Sequence, residues 1–289
     1  MKRKFTIAVL ILLVLAVGGA TACKSKPEIE TLRFAVHPSE DAEQEVLGMK
    51  PLLDHMGKEL GMPVEALVSY DYNACIEALR AGHAEIAWLG PFSYVLGTKI
   101  ADIDAIIAGV REGGIFGSNS IIFTLADSGI KDIDDLKGRT FAFVDPGSTS
   151  GYLFPSVLFK ERGIDPEKDF ASITFAGSHH ASALAVKNGT VDAAASNWPS
   201  YQALAARGEI DPETQIIIWK SEDIPPSPIA IRSDLSDELK QEIIDAFVSS
   251  PASKGVGMKS FEAFREIKDA DYDIIREIAE TLGIEEEPP

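Results

Sequence analysis

The sequence has few cysteines and few basic residues. Cysteine occurs twice in 289 residues, and 27 lysines and arginines stand against 45 aspartates and glutamates, so the formal net charge is −18. A chain this acidic repels long polyanions, which excludes a nucleic acid or an anionic membrane surface as the partner. A small oxyanion remains compatible with this charge, because a few backbone amides and hydroxyls are enough to hold it.

Long apolar runs are also missing. The run from Ile7 to Val17 is too short for the roughly 20 residues of a transmembrane helix, and it follows a basic start. This layout is typical of an export signal, with 1–22 as the signal peptide. The small residues before Cys23 resemble the lipobox of bacterial lipoproteins, in which the cysteine carries the lipid anchor. Because Ala20 stands where leucine is usual, ordinary cleavage and simple secretion is the alternative.

The chain after the signal peptide is more acidic still. Removing 1–22 takes away three cations and no carboxylate, which brings the formal charge to −21. If Cys23 is lipidated, only Cys75 remains, so no intramolecular disulfide forms and the fold depends on its core. We expect a solvated tether over 23–30, an acidic tail over 285–289, and a monomer between them large enough for two lobes.

A partial internal repeat supports two lobes. At an offset of 107 residues, the segment 72–94 matches the segment 179–201 at six positions, all alanine, glycine, serine or tyrosine. Each copy predicts a helix, a glycine stop, a strand and a second helix. The repeat places Tyr72 and His179 at equivalent positions, each at the start of a helix.

Strand and helix patterns alternate along the chain and favour parallel βαβ units in an α/β fold. In such sheets ligands bind beyond the carboxyl ends of the strands. Several candidate residues fall just after a strand or at a helix start. The strands are predicted at 32–36, 64–68, 106–110, 140–144, 173–176 and 216–219.

The most informative motif is Asp145-Pro146-Gly147-Ser148-Thr149-Ser150-Gly151. Its three consecutive hydroxyls follow a predicted strand and precede a predicted helix. The first turn of a helix presents unpaired backbone N–H groups and the positive end of the dipole, so the motif is well placed to bind an oxyanion. It has no lysine, which disfavours a nucleotide-binding P-loop. The alternative is that Ser148 or Thr149 merely caps the helix.

Enzymatic and metal-binding readings are weaker. A transferase or hydrolase using Ser148 or Ser150 with His179 would need a general base in reach, and no Gly-x-Ser-x-Gly elbow is present. The five histidines lack metal-ligand spacing. We therefore expect no catalytic residue, no cofactor and no metal.

Taken together, the motifs make the chain resemble the substrate-binding proteins of phosphate, phosphite and phosphonate ABC transporters. The resemblance runs from about Leu32 to about Asp269. It is carried by the segments 70–72, 88–94, 145–152, 177–180 and 224–229.

The resemblance implies a type II periplasmic binding protein fold, with two α/β lobes joined by two crossing strands and the ligand cleft between them. The crossings are expected near 118–125 and 225–231. The first lobe would then comprise 31–120 and 228–284, and the second lobe 121–227.

The resemblance also implies site residues. Ser148, Thr149 and Ser150 match the oxyanion-binding turn of the family, Tyr72 matches a tyrosine that reaches the oxyanion from the other lobe, and His179 matches a histidine of the cleft. Residues expected as candidate cleft wall are Trp88, Pro91, Ser118, Asn197 and Trp198.

Two departures from the family pattern narrow the ligand. Members that take aminoalkyl phosphonates are expected to place carboxylates around the ammonium, but the segments 196–200 and 225–228 contain neither aspartate nor glutamate. A buried ammonium left unpaired costs several kcal/mol. The expected ligands are therefore phosphite, methylphosphonate, hypophosphite or phosphate, with a mild preference for phosphite or methylphosphonate.

The resemblance implies partners and location as well. An exported protein, lipid-anchored to the membrane at Cys23, would deliver its ligand to an ABC permease driven by an ATPase subunit. A sensor that presents the bound anion to a membrane receptor would have the same sequence features and remains an alternative.

Overall fold

The structure is a computed structural model that describes residues 29–37, 42–251 and 261–283, with side chains from residue 46 onward in the first helix. The described residues from Thr31 onward form one compact unit. The predicted signal peptide, Cys23 and the acidic tail 285–289 lie outside the described residues.

Two mixed sheets, each flanked by helices, make up this unit, which confirms the α/β prediction. The strands are β1 (Leu32–Val36), β2 (Val64–Val68), β3 (Ile86–Trp88), β4 (Ile103–Arg111), β5 (Ser120–Leu125), β6 (Thr140–Phe143), β7 (Ser172–Phe175), β8 (Ala193–Asn197), β9 (Gln215–Lys220), β10 (Pro228–Arg232) and β11 (Phe261–Glu266). The helices are α1 (Ala42–Leu60), α2 (Tyr72–Arg80), α3 (Pro91–Ile100), α4 (Phe154–Glu161), α5 (Pro166–Asp169), α6 (His179–Lys187), α7 (Trp198–Ala206), α8 (Asp237–Val248) and α9 (Asp273–Leu282), with a π-helical turn, Thr149–Leu153, before α4.

The first sheet has the strand order β11-β4-β10-β3-β1-β2, and the second sheet has the order β7-β6-β8-β5-β9. Strands β1 to β3 pair in parallel, as do β6 to β8, which agrees with the predicted βαβ units. The strands predicted at 106–110 and 216–219 are β4 and β9. Strand β4 follows β3 through α3, strand β9 follows β8 through α7, and both run in the same direction as the parallel strands of their sheet. Neither pairs with them directly, because β10 lies antiparallel between β3 and β4, and β5 lies antiparallel between β8 and β9.

The sequence alternates along the strands so that each sheet has two buried faces. In the first sheet, Phe34, Ile86 and Trp88 pack with residues of α1 and α8, while Ala35 and Ala87 face α2, α3 and α9. The small alanines let these helices approach the sheet closely. The second sheet is packed in the same way between α4 and the pair α6 and α7.

The chain passes between the sheets twice, over 112–119 and over 221–227. The two connections touch at Ser118 and Ile224, whose backbones exchange hydrogen bonds of 3.1 and 2.8 Å. Both passages lie slightly before the segments that the sequence predicted. The lobe boundaries at 120/121 and 227/228 stay a prediction.

A buried carboxylate stabilises the first sheet at the end remote from the connections. Glu85 is 1% exposed and accepts hydrogen bonds from the Arg33 guanidinium at 2.6 and 3.2 Å. It also accepts one from the Arg33 backbone N–H at 2.8 Å. We expect Glu85→Ala to lower the free energy of unfolding by about 2–3 kcal/mol, because bonds to charged groups are lost while Arg33 can regain water. Urea titration measures this loss. Glu77→Ala, which breaks an exposed pair with Arg80, is the control and should cost less than about 0.5 kcal/mol; equal losses would contradict the role of Glu85.

Within the described part of the chain, every helix is either too short or too polar to serve as a membrane span.

Candidate functional site

Five helical segments begin around one crevice between the two sheets. They are α2, α3, the π-helical turn, α6 and α7, and each follows a strand after a short turn. Residues from the first turn of each of these segments line the same cavity. The first turns present unpaired N–H groups and the positive ends of the helix dipoles, so this crevice favours an anion although the protein is acidic overall.

The cavity has a volume of about 70 Å³. A single bound water needs at least roughly 10–15 Å³ on the same measure, so the cavity has room for a ligand of only a few non-hydrogen atoms. This is the size of a small oxyanion with at most a short tail.

The structure brings the predicted ligand-binding residues together. They come from helices and turns that follow strands of both sheets, and each of these five residues is at most 7% exposed. The predicted residues that line the cavity are Tyr72, Ser148, Thr149, Ser150 and His179, together with Trp88, Pro91, Ser118 and Asn197 from the candidate cleft wall.

Trp198 lies elsewhere and does not line this cavity. Its ring stacks on Tyr201 at a centroid distance of 5.9 Å, and the Lys220 ammonium lies 4.6 Å from its centroid. Trp198 is the first residue of α7, and this position directs its ring toward the second sheet while Pro199 and Ser200 line the cavity.

Backbone N–H groups orient the hydroxyls of the turn. Ser148 Oγ accepts a hydrogen bond from the Gly151 N–H at 3.0 Å, and Thr149 Oγ1 accepts one from the Phe92 N–H at 2.8 Å. A hydroxyl has one proton to donate, so occupying its acceptor side leaves the O–H to donate to a ligand. Ser148 therefore caps the turn and lines the cavity, and the two roles weighed from the sequence coexist.

Two glycines allow the turn to approach its neighbours. A Cβ on Gly147 would lie 2.9 Å from Tyr72 Cβ, and a Cβ on Gly151 would lie 2.3 Å from Val144 Cβ. Neither position has room for a side chain. Glycine at 147 thus lets the turn on the second sheet pack directly against the start of α2 on the first.

Tyr72 and His179, the equivalent residues of the repeat, meet across the cavity. The Tyr72 hydroxyl lies 3.4 Å from His179 Nε2, and His179 Nδ1 lies 3.2 Å from Ser196 Oγ. Burial lowers the pKa of His179 to about 3, an effect increased by His37, so the ring is neutral at pH 7. Burial also raises the pKa of Tyr72 far above its ordinary value, so its hydroxyl keeps its proton. Both side chains can therefore donate hydrogen bonds at neutral pH without carrying charge.

His37, Arg111 and Phe261 also line the cavity, and sequence reasoning missed them. The His37 ring lies 4.4 Å from the Tyr72 ring, and its Nδ1 is 3.0 Å from the Trp88 carbonyl. Desolvation lowers the pKa of His37 to about 4. Its position directly after β1 was a usable signal, since ligands bind at the carboxyl ends of such strands. Arg111 ends β4, where the antiparallel pairing was not predicted.

No aspartate or glutamate is among the described residues that line the cavity. Asp145 opens the hydroxyl turn, but it lines a separate cavity with Asp71 and Asn73, and its Oδ1 accepts a hydrogen bond from the Gly147 N–H at 2.7 Å. Burial raises the pKa of Asp145. The chemistry of the cavity is therefore that of hydrogen-bond donors, and it suits an anion.

Within the described residues, no three histidine, cysteine, aspartate or glutamate side chains are grouped so that they could hold a metal ion.

The two buried histidines predict how stability depends on pH. Because their pKa values in the folded protein lie below the ordinary 6.5, the unfolded chain takes up protons first as the pH falls, and stability is lost from about pH 6.5 down to about pH 4 for His37 and pH 3 for His179. Between pH 7 and pH 5 this loss is on the order of 1–2 kcal/mol for each histidine.

Urea unfolding without ligand at pH 7, 6 and 5 measures this dependence. The double variant His37→Gln, His179→Gln should lose clearly less stability over this interval than the unmodified protein. His83→Gln, at an exposed position, is the control and should follow the unmodified protein. If the free energy of unfolding falls equally with pH in all three proteins, His37 and His179 do not cause the loss of stability.

Comparison with known proteins agrees with this geometry. The family model described as "ABC transporter, phosphonate, periplasmic substrate-binding protein" matches residues 34–272. The phosphate-import protein PhnD of Mycolicibacterium smegmatis is 32% identical over 286 residues, covering 89% of this chain and 87% of that protein. The phosphonates-binding periplasmic protein of Escherichia coli is 31% identical over 258 residues, covering 86% and 76%.

Solved structures give the same result for the fold. A binding protein component of an ABC phosphonate transporter from Pseudomonas aeruginosa superposes with a TM-score of 0.78 at 28% identity, covering 86% of this chain and 85% of that one. This confirms the type II periplasmic binding protein fold. The chain belongs to the family of periplasmic substrate-binding proteins of phosphonate ABC transporters, whose members are binding proteins and not enzymes.

Proposed function

We propose that this protein captures a small phosphorus oxyanion without a cationic tail and delivers it to an ABC permease driven by an ATPase. The ligands in view are phosphite, methylphosphonate, hypophosphite and phosphate. The observation that carries the proposal is the cavity itself, in which hydroxyls and helix N-termini converge while no carboxylate is present among the described lining residues. The names of the two relatives, one for phosphate and one for phosphonates, support the same ligand class.

The hydrogen-bond donors are sufficient for useful affinity. Ser148, Thr149 and Ser150 each offer one donor to an oxyanion, and the pair of Tyr72 and His179, which share one hydrogen bond, offers a fourth. Bonds to a charged group contribute about 1.5–3 kcal/mol each, so four of them give a gross term of about 6–12 kcal/mol. A micromolar complex needs about 8 kcal/mol. The cost of ordering the ligand and the protein then sets the net affinity.

Capture would proceed by closure of two lobes. The first lobe would comprise 31–120 and 228–284 and the second lobe 121–227, with the paired connections at Ser118 and Ile224 as the hinge. Tyr72 would approach the ligand from the first lobe and the Ser148 turn from the second. Closure removes water from the site, which strengthens each hydrogen bond to the anion.

Anchoring at Cys23 by a lipid completes the proposal, because it would hold the protein at the outer face of the membrane that contains the permease. Metabolic labelling with a fatty acid analogue tests this part, and loss of the label in Cys23→Ala is the expected result. Unchanged labelling in the variant would contradict it.

Isothermal titration calorimetry of residues 24–289 with phosphite, methylphosphonate, hypophosphite and phosphate tests the ligand class. We expect saturable binding of at least one of these anions at one site. 2-Aminoethylphosphonate at the same concentration is the control and should bind more weakly, because no carboxylate among the described lining residues can pair with its ammonium. An absence of binding across the panel would refute the proposed ligand class.

A further inference from the structure

We propose that Arg111 selects the ligand by charge, so that the cavity takes a dianionic phosphorus oxyanion in preference to a monoanionic one. This inference rests on the proposed function and deepens it. It concerns the part of the cavity wall that Arg111, Phe261 and Trp88 form.

The position of the guanidinium is built into the first sheet. Arg111 and Phe261 are paired residues of β4 and β11, and the Arg111 guanidinium carbon lies 4.8 Å from the centroid of the Phe261 ring. Gly109, two residues earlier on β4, makes room for this ring, because a Cβ there would lie 2.3 Å from it. A cation over an aromatic face is attracted by the ring and is held in place.

The Phe261 ring is itself fixed. It is 4% exposed, meets the Trp88 ring edge-on at 5.9 Å and contacts the Phe264 ring at 5.7 Å. The cation at this wall therefore belongs to an ordered cluster of aromatic rings, and its distance from a bound anion is set by the sheet.

Arg111 is the one fully charged side chain among the described residues that line the cavity. Burial lowers its pKa to about 10, so it keeps its charge at neutral pH, whereas His37 and His179 are neutral there. The charged groups on the neighbouring strand β11, Glu262 and Arg265, are exposed to water and are screened by it. The cation in the cavity is screened much less.

The charge on the ligand decides how much this cation contributes. Coulomb attraction to a fixed cation is proportional to the charge of the anion, so a dianion gains about twice as much as a monoanion from the same site. Hydrogen bonds to the hydroxyl turn are available to both. Loss of the cation should therefore weaken dianion binding more than monoanion binding.

Two ligands separate these cases. Hypophosphite has a single acidic proton and is a monoanion at every working pH, whereas methylphosphonate loses its second proton near neutrality and is largely a dianion at pH 8.5. Calorimetric titrations with both ligands at pH 8.5 compare the unmodified protein with Arg111→Gln and with Arg111→Lys, which keeps the charge.

We expect Arg111→Gln to weaken methylphosphonate binding about tenfold and hypophosphite binding about threefold, and Arg111→Lys to lose less than Arg111→Gln for methylphosphonate. In the unmodified protein, methylphosphonate affinity should also rise from pH 6 to pH 8.5, and this rise should flatten in Arg111→Gln. Equal losses for the two ligands, or no loss at all, would overturn the inference.

The test also distinguishes a failure of the inference from a failure of the proposed function. If the unmodified protein binds neither of these anions, the proposed function fails and the inference fails with it. If the unmodified protein binds both anions but Arg111→Gln changes the two affinities by the same factor, only the inference fails. Phe261→Leu removes the ring beneath the guanidinium while keeping an apolar side chain. It should also lower the ratio of methylphosphonate to hypophosphite affinity, so it tests the inference even if Arg111→Gln does not fold.

Discussion

Replacing Ser148 and Thr149 together with alanine should weaken the binding of methylphosphonate by about 10²–10⁴-fold. Each hydroxyl accepts a hydrogen bond from a backbone N–H, which leaves its own proton to donate to a ligand. Two donors to a charged ligand contribute about 3–6 kcal/mol, which corresponds to this range of affinity. Titration calorimetry at fixed pH measures the change.

The control for this experiment must lose a helix cap without losing a ligand donor. Ser148 also caps the π-helical turn, so part of any effect could come from lower stability. Ser236 caps α8 through the Leu239 N–H at 3.2 Å and lies outside the cavity lining. Ser236→Ala should therefore cost about 1 kcal/mol of stability and leave affinity unchanged. If the double variant binds like the unmodified protein, the turn is only a cap.

Discrimination against 2-aminoethylphosphonate should be large. We expect this ligand to bind at least about 100-fold more weakly than methylphosphonate, because a buried ammonium without a carboxylate costs several kcal/mol and Arg111 adds repulsion. Competition titrations against methylphosphonate measure the ratio. Equal affinities would contradict the argument from the missing carboxylates.

A single substitution should reduce this discrimination. Asn197 lines the cavity and caps α7 through the Ser200 N–H at 2.6 Å, and aspartate caps a helix as well as asparagine does. Asn197→Asp should therefore keep the fold and place a carboxylate in the cavity. The ratio of the affinities for methylphosphonate and 2-aminoethylphosphonate should fall at least tenfold. Asn188→Asp, at an exposed position after α6, is the matched control and should leave the ratio unchanged.

The parts of the site that sequence reasoning predicted are those set by local chemistry. A Pro-Gly turn followed by three hydroxyls at a helix start fixes its own geometry within a few residues, and the structure has this turn where the sequence indicated it. The repeat likewise predicted helix, strand and helix after Tyr72 and after His179. Both residues begin helices as expected. They are 107 positions apart in the chain, yet the Tyr72 hydroxyl lies 3.4 Å from His179 Nε2.

The parts that were missed depend on contacts between distant segments. Arg111 enters the cavity because β11 pairs with β4 and supplies Phe261 beneath the guanidinium, and a pairing over 150 residues leaves no local pattern. Trp198 was assigned to the cleft wall from its place in the chain. Its ring lies against Tyr201 instead. The direction of a ring at a helix start depends on the sheet against which it packs, and the local sequence does not show this.

A crystal structure of residues 24–289 grown with methylphosphonate would show whether this cavity is the binding site. We expect one anion in the cavity, with its oxygens within about 3.2 Å of the hydroxyls of Ser148, Thr149 and Ser150 and of Tyr72, and with its methyl group away from them. Methylphosphonate bound outside this cavity, or a cavity that holds only water at saturating ligand, would contradict this expectation.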